Sequence, residues 1–201
     1  MSQRESWGYR FRGLIGVVVL TPLAMVALLS PPLSGDSWLR LLTDILAWPT
    51  FVAGAALRLW PTLYIGGRKR KTLVTDGPYS ICRNPLYLGT MLLAASAGLF
   101  LQSWLFTAGV IVVGLGYALV TVPVEERYLR ELFGDAYVEY CARVPRYWPR
   151  LALFRSAALI EVDLQALRAE CVRAFGYWMW IPLIGEILET VRLHLWPGPL
   201  R

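Results

Sequence analysis

Two adjacent carboxylates, Glu125 and Glu126, close one long uncharged stretch, and forty residues earlier an Asn84-Pro85 pair opens another. Asparagine before proline suits a helix start: Asn caps free backbone N–H groups, and Pro fits the first helical position. Such a start presents unpaired N–H groups and the positive dipole end, which suit a small anion. Tyr79 and Tyr87 flank it and can pack an aromatic or cationic ligand. If the two uncharged stretches return as a hairpin, Glu125 comes back to the Asn84-Pro85 helix start. An anion site beside a carboxylate suits a zwitterionic amino acid. The same residues also suit plain anchoring: tyrosines and an Asn-Pro cap can fix a helix at headgroup level, and a glutamate is favoured in any first helical turn. Residue types alone leave both readings open.

The elements that must position these groups are membrane spans. Of 201 residues, 56% are hydrophobic and 17% charged, where soluble domains carry roughly 25% charged. Disorder is excluded, because there is too much apolar material to bury. Three widely spaced cysteines, Cys82, Cys141 and Cys171, make neither a disulfide framework nor a metal-ligand pattern, so free thiols are expected. The net charge of +6 does not indicate nucleic acid, because the basic residues flank apolar runs instead of forming a basic helix. The sequence predicts an all-α membrane protein of about four transmembrane helices, with a possible fifth and cytoplasmic amphipathic helices.

A span needs about 20 mostly apolar residues. Gly13 to Ser30 is the first, read as a retained anchor behind Arg4, Arg10 and Arg12. Leu41 to Ile65 is the second, interrupted by Asp44, Pro49, Pro61 and Arg58. An arginine that deep is costly and faces a cavity or a partner. Pro85 to Leu101 and Trp104 to Val122 are the third and fourth, joined only by Gln102-Ser103 and so a tight hairpin. Arg68, Lys69, Arg70, Lys71 and Arg83 all fall on one face with the N-terminal arginines, which makes that face cytoplasmic.

Glu125 to Arg143 reads as a cytoplasmic helix with Leu129, Leu132 and Phe133 inward and Glu126, Arg130 and Glu131 solvated. Ser156 to Gly176 reads as an amphipathic helix with Ile160, Leu164, Leu167, Cys171 and Phe175 on its apolar side. Tyr177 to Trp196 mixes tryptophans with Glu186, Glu189, Arg192 and His194, which suits an interfacial or re-entrant helix. His194, the one histidine, gives no basis for haem or metal binding.

Taken together, Leu-Val-Thr-x-Gly-Pro-Tyr, Arg-Asn-Pro-Leu-Tyr-x-Gly, Glu-Glu, Phe-Gly-Asp-x-Tyr-x-x-Tyr and Val-Pro-Arg-x-x-Pro resemble the isoprenylcysteine carboxyl methyltransferase family and, more distantly, the phospholipid N-methyltransferases. The resemblance runs from about Leu57 to Pro149. It implies a small helical membrane bundle that uses S-adenosylmethionine, with residues 1–155 as the methyltransferase core and 156–201 as a C-terminal amphipathic and interfacial region. It implies cofactor contacts from Lys71, Thr72, Leu73, Val74 and Tyr79, from Asn84, Pro85, Leu86 and Tyr87, from Glu125, and from Tyr64.

Two departures qualify what the resemblance implies. Asn84 stands where prenylcysteine enzymes typically have histidine. Thr121 stands where they place an arginine for the acceptor carboxylate, leaving Arg58 or Arg146 to substitute. The expected acceptor is a lipophilic small molecule or lipid-anchored group reached from the bilayer, with a carboxylate, a phospholipid amine or a hydrophobic thiol or phenol as alternatives. A non-enzymatic membrane protein that keeps the fold is the alternative outside catalysis. With only two lysines beside many arginines, the expected setting is a prokaryotic cytoplasmic membrane, with the N-terminus and the site on the cytoplasmic side.

Overall fold

The computed structural model describes residues 37–68 and 71–195, together with Thr21, Pro22 and Met25. The expected first span, apart from those three residues, lies outside the described residues, as do Arg4, Arg10, Arg12, Lys69 and Arg70. Among the described residues all regular structure is helical, with no strand.

Helix α1 (Ser37–Ile65) is followed by a short α2 (Pro78–Ile81), then α3 (Pro85–Leu101) and α4 (Trp104–Gly116). A π turn (Tyr117–Thr121) joins α4 to α5 (Val122–Phe133) without a break in the helix. Next come α6 (Asp135–Arg143), a 3-10 turn (Leu151–Leu153), α7 (Leu164–Arg173), a second π turn (Ala174–Trp178) and α8 (Trp180–Leu195). Leu41–Ile65 and Leu105–Phe133 are long and apolar enough to cross a membrane, and Pro85–Leu101 is a shorter apolar helix. Their outer surfaces expose Leu42, Ile45, Val52, Ile111, Val112, Leu119 and Val120. Such a surface is stable against lipid and costly in water.

α1 and α3 form the central pair. Their backbones approach at two glycines: a Cβ on Gly89 would lie 2.8 Å from the Leu57 carbonyl, and one on Gly54 would lie 2.8 Å from the Leu93 nitrogen. Small residues at a helix crossing allow this closeness. The expected α3–α4 hairpin is present. Gln102 turns the chain with φ 46°, and its side-chain amide donates to Asp44 Oδ1 at 3.1 Å. That bond gives the carboxylate inside α1 a partner. Ser103 caps α4 by accepting from the Phe106 N–H at 3.4 Å.

The structure corrects several details. The helix expected over Glu125–Arg143 is two helices, split where Gly134 adopts φ 56°, and its first half continues the fourth apolar helix. The π turn has a local cause. Pro123 lacks the N–H that an α-helix would donate four residues back, so the ladder widens there. The Tyr147 hydroxyl takes up one carbonyl of this turn, donating to Ala118 O at 2.6 Å. The helix expected from Ser156 starts only at Leu164, where Asp163 Oδ1 accepts from the N–H groups of Gln165 and Ala166. Leu164, expected inward, is exposed, while Glu170 is buried. α8 packs alongside α3: Gly185 sits on Phe100, and Leu188 joins Leu101, Phe106 and Val110.

Candidate active site

Three side chains on the first turns of α3 each hold one charged group. Asn84 Nδ2 donates to Glu126 Oε1 at 3.1 Å, the Tyr87 hydroxyl donates to Glu125 Oε2 at 2.6 Å, and Thr90 Oγ1 accepts from Arg58 Nη1 at 3.2 Å. Residues three apart on a helix share a face and rise about 4.5 Å per step. A polar column therefore climbs α3, with two carboxylates at its base and a guanidinium above them. The hairpin brings the glutamates here, because α4 and α5 run back along α3 to its start.

This geometry refines the expected cap. Asn84 occupies the N-cap position of α3 but makes no capping bond; its amide reaches Glu126 and the Arg146 carbonyl instead. Glu126, expected to be solvated, is 7% exposed and lies between Asn84, Arg83 and Arg146, with Arg146 Nη2 at 2.6 Å. Two consecutive residues on a helix point about 100° apart, so Glu125 and Glu126 cannot share one partner. One takes the tyrosine, the other the asparagine. The ion pair with Glu126 holds the Arg146 guanidinium above its ordinary value.

The segment 144–156 ties these parts together through backbone bonds. Arg83 N–H donates to Pro145 O at 2.9 Å, Arg150 N–H to Ile81 O at 3.0 Å, and Gly77 N–H to Arg155 O at 2.7 Å. Beneath it, Tyr137, Tyr140 and Val144 form a small core against Leu73 and Phe133, and the Tyr140 hydroxyl donates to Tyr79 O at 2.8 Å. Burial pushes the phenols of Tyr137 and Tyr140 well up, so both stay protonated donors.

Five of the expected cofactor residues, Tyr64, Lys71, Thr72, Leu73 and Val74, line one open cavity of about 510 Å³. Pockets for small ligands span about 300–1,000 Å³. Its opposite wall is the irregular segment of Ala157, Leu159, Ile160 and Glu161. The Tyr64 ring closes on Gly77, where φ is 59° and any Cβ would collide with it, and the Tyr64 hydroxyl meets Ser156 Oγ at 2.9 Å. Asn84, Pro85, Leu86, Tyr87 and Glu125 form a second group at the start of α3, outside that cavity's lining. Tyr79 lies in α2, outside that cavity's lining as well. Its hydroxyl is buried without a hydrogen-bond partner, and its phenol is pushed up first by burial and then by the charge of Glu125. A buried hydroxyl without a partner keeps one donor and its acceptor capacity unused.

The three expected acceptor residues are dispersed. Thr121 lies in the π turn, Arg146 is held by Glu126, and Arg58 is paired with Glu170 at 2.6 Å. Sequence reasoning missed Glu126, Thr90, Glu170 and Trp178 as members of this network. The sequence held no signal for Glu170: Asp163, Ala166 and Glu170 share one helical face, but only the folded chain shows that Ala166 packs on Gly66 and so turns that face to α1. No group of three His, Cys, Asp or Glu side chains able to hold a metal occurs among the described residues.

Residues 45–136 match the family model described as phospholipid methyltransferase. The chain is 35% identical over 147 residues to the cobalt-zinc-cadmium resistance protein CzcN of Cupriavidus metallidurans, covering 72% of this chain and 64% of that protein. It is 32% identical over 142 residues to the nickel-cobalt-cadmium resistance protein NccN of Alcaligenes xylosoxydans xylosoxydans, covering 69% and 64%. Over 73 residues it is 37% identical to the protein-S-isoprenylcysteine O-methyltransferase B of Arabidopsis thaliana, covering 36% of this chain and 37% of that one. The chain thus spans 64% of the length of the first two relatives. No solved structure matches. The matched stretch holds the polar column of α3 and both of its glutamates, and over it the chain is similar to the phospholipid methyltransferase family and to the isoprenylcysteine O-methyltransferases.

Proposed function

We propose that the protein is an integral-membrane methyltransferase that uses S-adenosylmethionine to methylate a lipophilic acceptor entering from the bilayer. The observation that supports this reading is the convergence of Tyr64 and Lys71–Val74 on one cavity of ligand size. The residues present fit the cofactor. The loop walls suit a polar, extended ligand, the unpartnered Tyr79 hydroxyl offers a donor, and Glu125 offers a carboxylate beside the positive dipole end of α3. When bound, the cofactor supplies a methyl already activated on a sulfonium.

The protein's own work is then to hold, orient and exclude water. Tyr140 fixes Tyr79 through its backbone carbonyl, and the Tyr87 hydroxyl orients Glu125. Glu126 locks Asn84 and Arg146 so that the α3 start keeps its place. A phospholipid amine is the second acceptor class. The family model over residues 45–136 favours it, as does the aromatic pair Tyr87–Tyr117, with centroids 6.2 Å apart, beside Glu125. That surrounding suits an ammonium.

The test is calorimetric binding of S-adenosylhomocysteine to the detergent-purified protein and to Glu125→Gln. We expect the wild type to bind and the variant to bind at least tenfold more weakly, about 1.4 kcal/mol. A folded wild type that binds nothing sinks the reading.

A further inference from the structure

The cavity beside Lys71–Val74 has a wall that lies beyond the family match. The match ends at residue 136, whereas Ala157, Leu159, Ile160 and Glu161 face residues 64–76 across about 510 Å³. Without that later segment the cavity would be open to water on this side.

The wall is a strap pinned at both ends. At its start, Arg155 O accepts from the Gly77 N–H at 2.7 Å and the Arg155 N–H donates to Ser80 Oγ at 3.0 Å. Ser156 Oγ then meets the Tyr64 hydroxyl at 2.9 Å. At its end, Asp163 caps α7 and packs with Ala166 on Gly66, where an added Cβ would lie 3.3 Å and 3.1 Å from theirs. Between the pins, residues 157–162 make no backbone–backbone hydrogen bond among the described residues. One tie crosses the cavity, from Arg68 Nη2 to Glu161 Oε2 at 3.4 Å. The Glu161 side chain is 95% exposed, and exposed pairs hold weakly. The strap is therefore fixed at its ends and free to adjust in its middle.

Its chemistry selects the part of the cofactor it meets. Leu73 and Val74 stand on one side of the cavity, Leu159 and Ile160 on the other. Leu159 is 90% exposed, apolar surface that a flat ring seated in the cavity would cover. The lining also carries two cations, Arg68 and Lys71, and two carboxylates, Asp76 and Glu161. That balance has no net charge to draw a phosphate, and its carboxylates accept from hydroxyl and amino groups. An apolar slot with a few polar groups suits a nucleoside, with its flat base and ribose diol. The amino acid end then falls to Glu125 and the α3 start, outside this lining.

We propose that residues 157–161 are a lid over the nucleoside end of S-adenosylmethionine, with Leu159 and Ile160 as base-binding residues. This rests on the methyltransferase reading above and extends that site into the C-terminal region. Contact with the base favours the closed strap, so ligand binding shields Glu161.

The experiment uses the detergent-purified full chain and two ligands. One is S-adenosylhomocysteine; the other is 5′-methylthioadenosine, which keeps the nucleoside and lacks the amino acid. By calorimetry, Leu159→Ser/Ile160→Ser should bind both at least tenfold more weakly than the wild type. Leu164→Ser, at an exposed leucine outside the cavity lining, should stay within twofold. In the wild type, either ligand at saturation should slow glutamyl endopeptidase cleavage after Glu161 at least fivefold relative to cleavage after the exposed Glu139, read by mass spectrometry. This second readout needs no variant to fold. A wild type that binds S-adenosylhomocysteine while Glu161 is cut as fast as before overturns the proposal and leaves the methyltransferase reading standing. So does a double variant of unchanged affinity, or one that loses S-adenosylhomocysteine but keeps 5′-methylthioadenosine, because the strap then holds the amino acid end. A folded wild type that binds neither ligand removes the lid and the methyltransferase reading together.

Discussion

At the scale of single residues, the neighbours Glu125 and Glu126 have different surroundings, and substitution should separate them. Glu126 joins Asn84, Arg83 and Arg146 in a buried knot. Glu126→Gln should lower stability by about 1–3 kcal/mol, because buried donors lose a charged acceptor. Thermal unfolding in detergent should show a larger fall than for Glu125→Gln, whose main effect is on cofactor affinity; equal falls would contradict the division. Cys82 offers a second test. It is 1% exposed, its thiol faces the carbonyls of Arg146 and Tyr147, and burial pushes it up from the usual thiol value. A raised value means less thiolate at any given pH, hence slower alkylation. Iodoacetamide at pH 8 should spare Cys82 in the folded protein and modify it after denaturation, as read by mass spectrometry. Prompt labelling of the folded chain would show that the 144–150 strap opens.

At the scale of elements, the uncharged runs, the Asn-Pro start and the two-residue turn were legible because local chemistry decides them. The partners were not. Adjacent carboxylates look equivalent in a sequence, and only the path of α5 past α3 assigns one to Tyr87 and the other to Asn84. The π turn was hidden for a similar reason. Pro123 announces a disturbed ladder, but the carbonyl that Tyr147 captures is known only once the 144–150 segment is in place. The glycine contact between α1 and α3 makes a direct prediction. Gly89→Val must part the helices, since even a Cβ there lies 2.8 Å from the Leu57 carbonyl and 3.0 Å from the Arg58 nitrogen. Overpacking of this kind costs about 1–3 kcal/mol. The same change moves Arg58, so chemical unfolding and S-adenosylhomocysteine affinity should fall together. Gly114→Val, where a Cβ meets nothing within 4 Å, is the control expected to leave both unchanged.

At the scale of the whole molecule, the hairpin puts the C-terminal end of α1, the start of α3 and α6 at one end of the bundle, and the Gln102-Ser103 turn at the other. Arg68, Lys71, Arg83, Arg143 and Arg146 belong to the first end, and by the positive-inside rule that end is expected to face the cytoplasm. In a background lacking Cys82, Cys141 and Cys171, Arg68→Cys and Arg143→Cys should be shielded from a membrane-impermeant maleimide in intact cells, while Leu105→Cys should react. The opposite pattern would invert the orientation. Composition and the spacing of apolar residues were enough to indicate a helical chain with apolar helices long enough to cross a membrane and the hairpin at Gln102-Ser103, because burial in lipid and helix capping act over a few neighbouring residues; the loop at Lys71–Val74 came only from the family resemblance. Tertiary structure alone decided which charges meet. Glu126 with Arg146, Glu170 with Arg58, and the cavity between residues 64–76 and 157–161 join positions twenty to more than a hundred residues apart. A buried charge is stable only beside its counter-charge, and the folded path of the chain selects that partner.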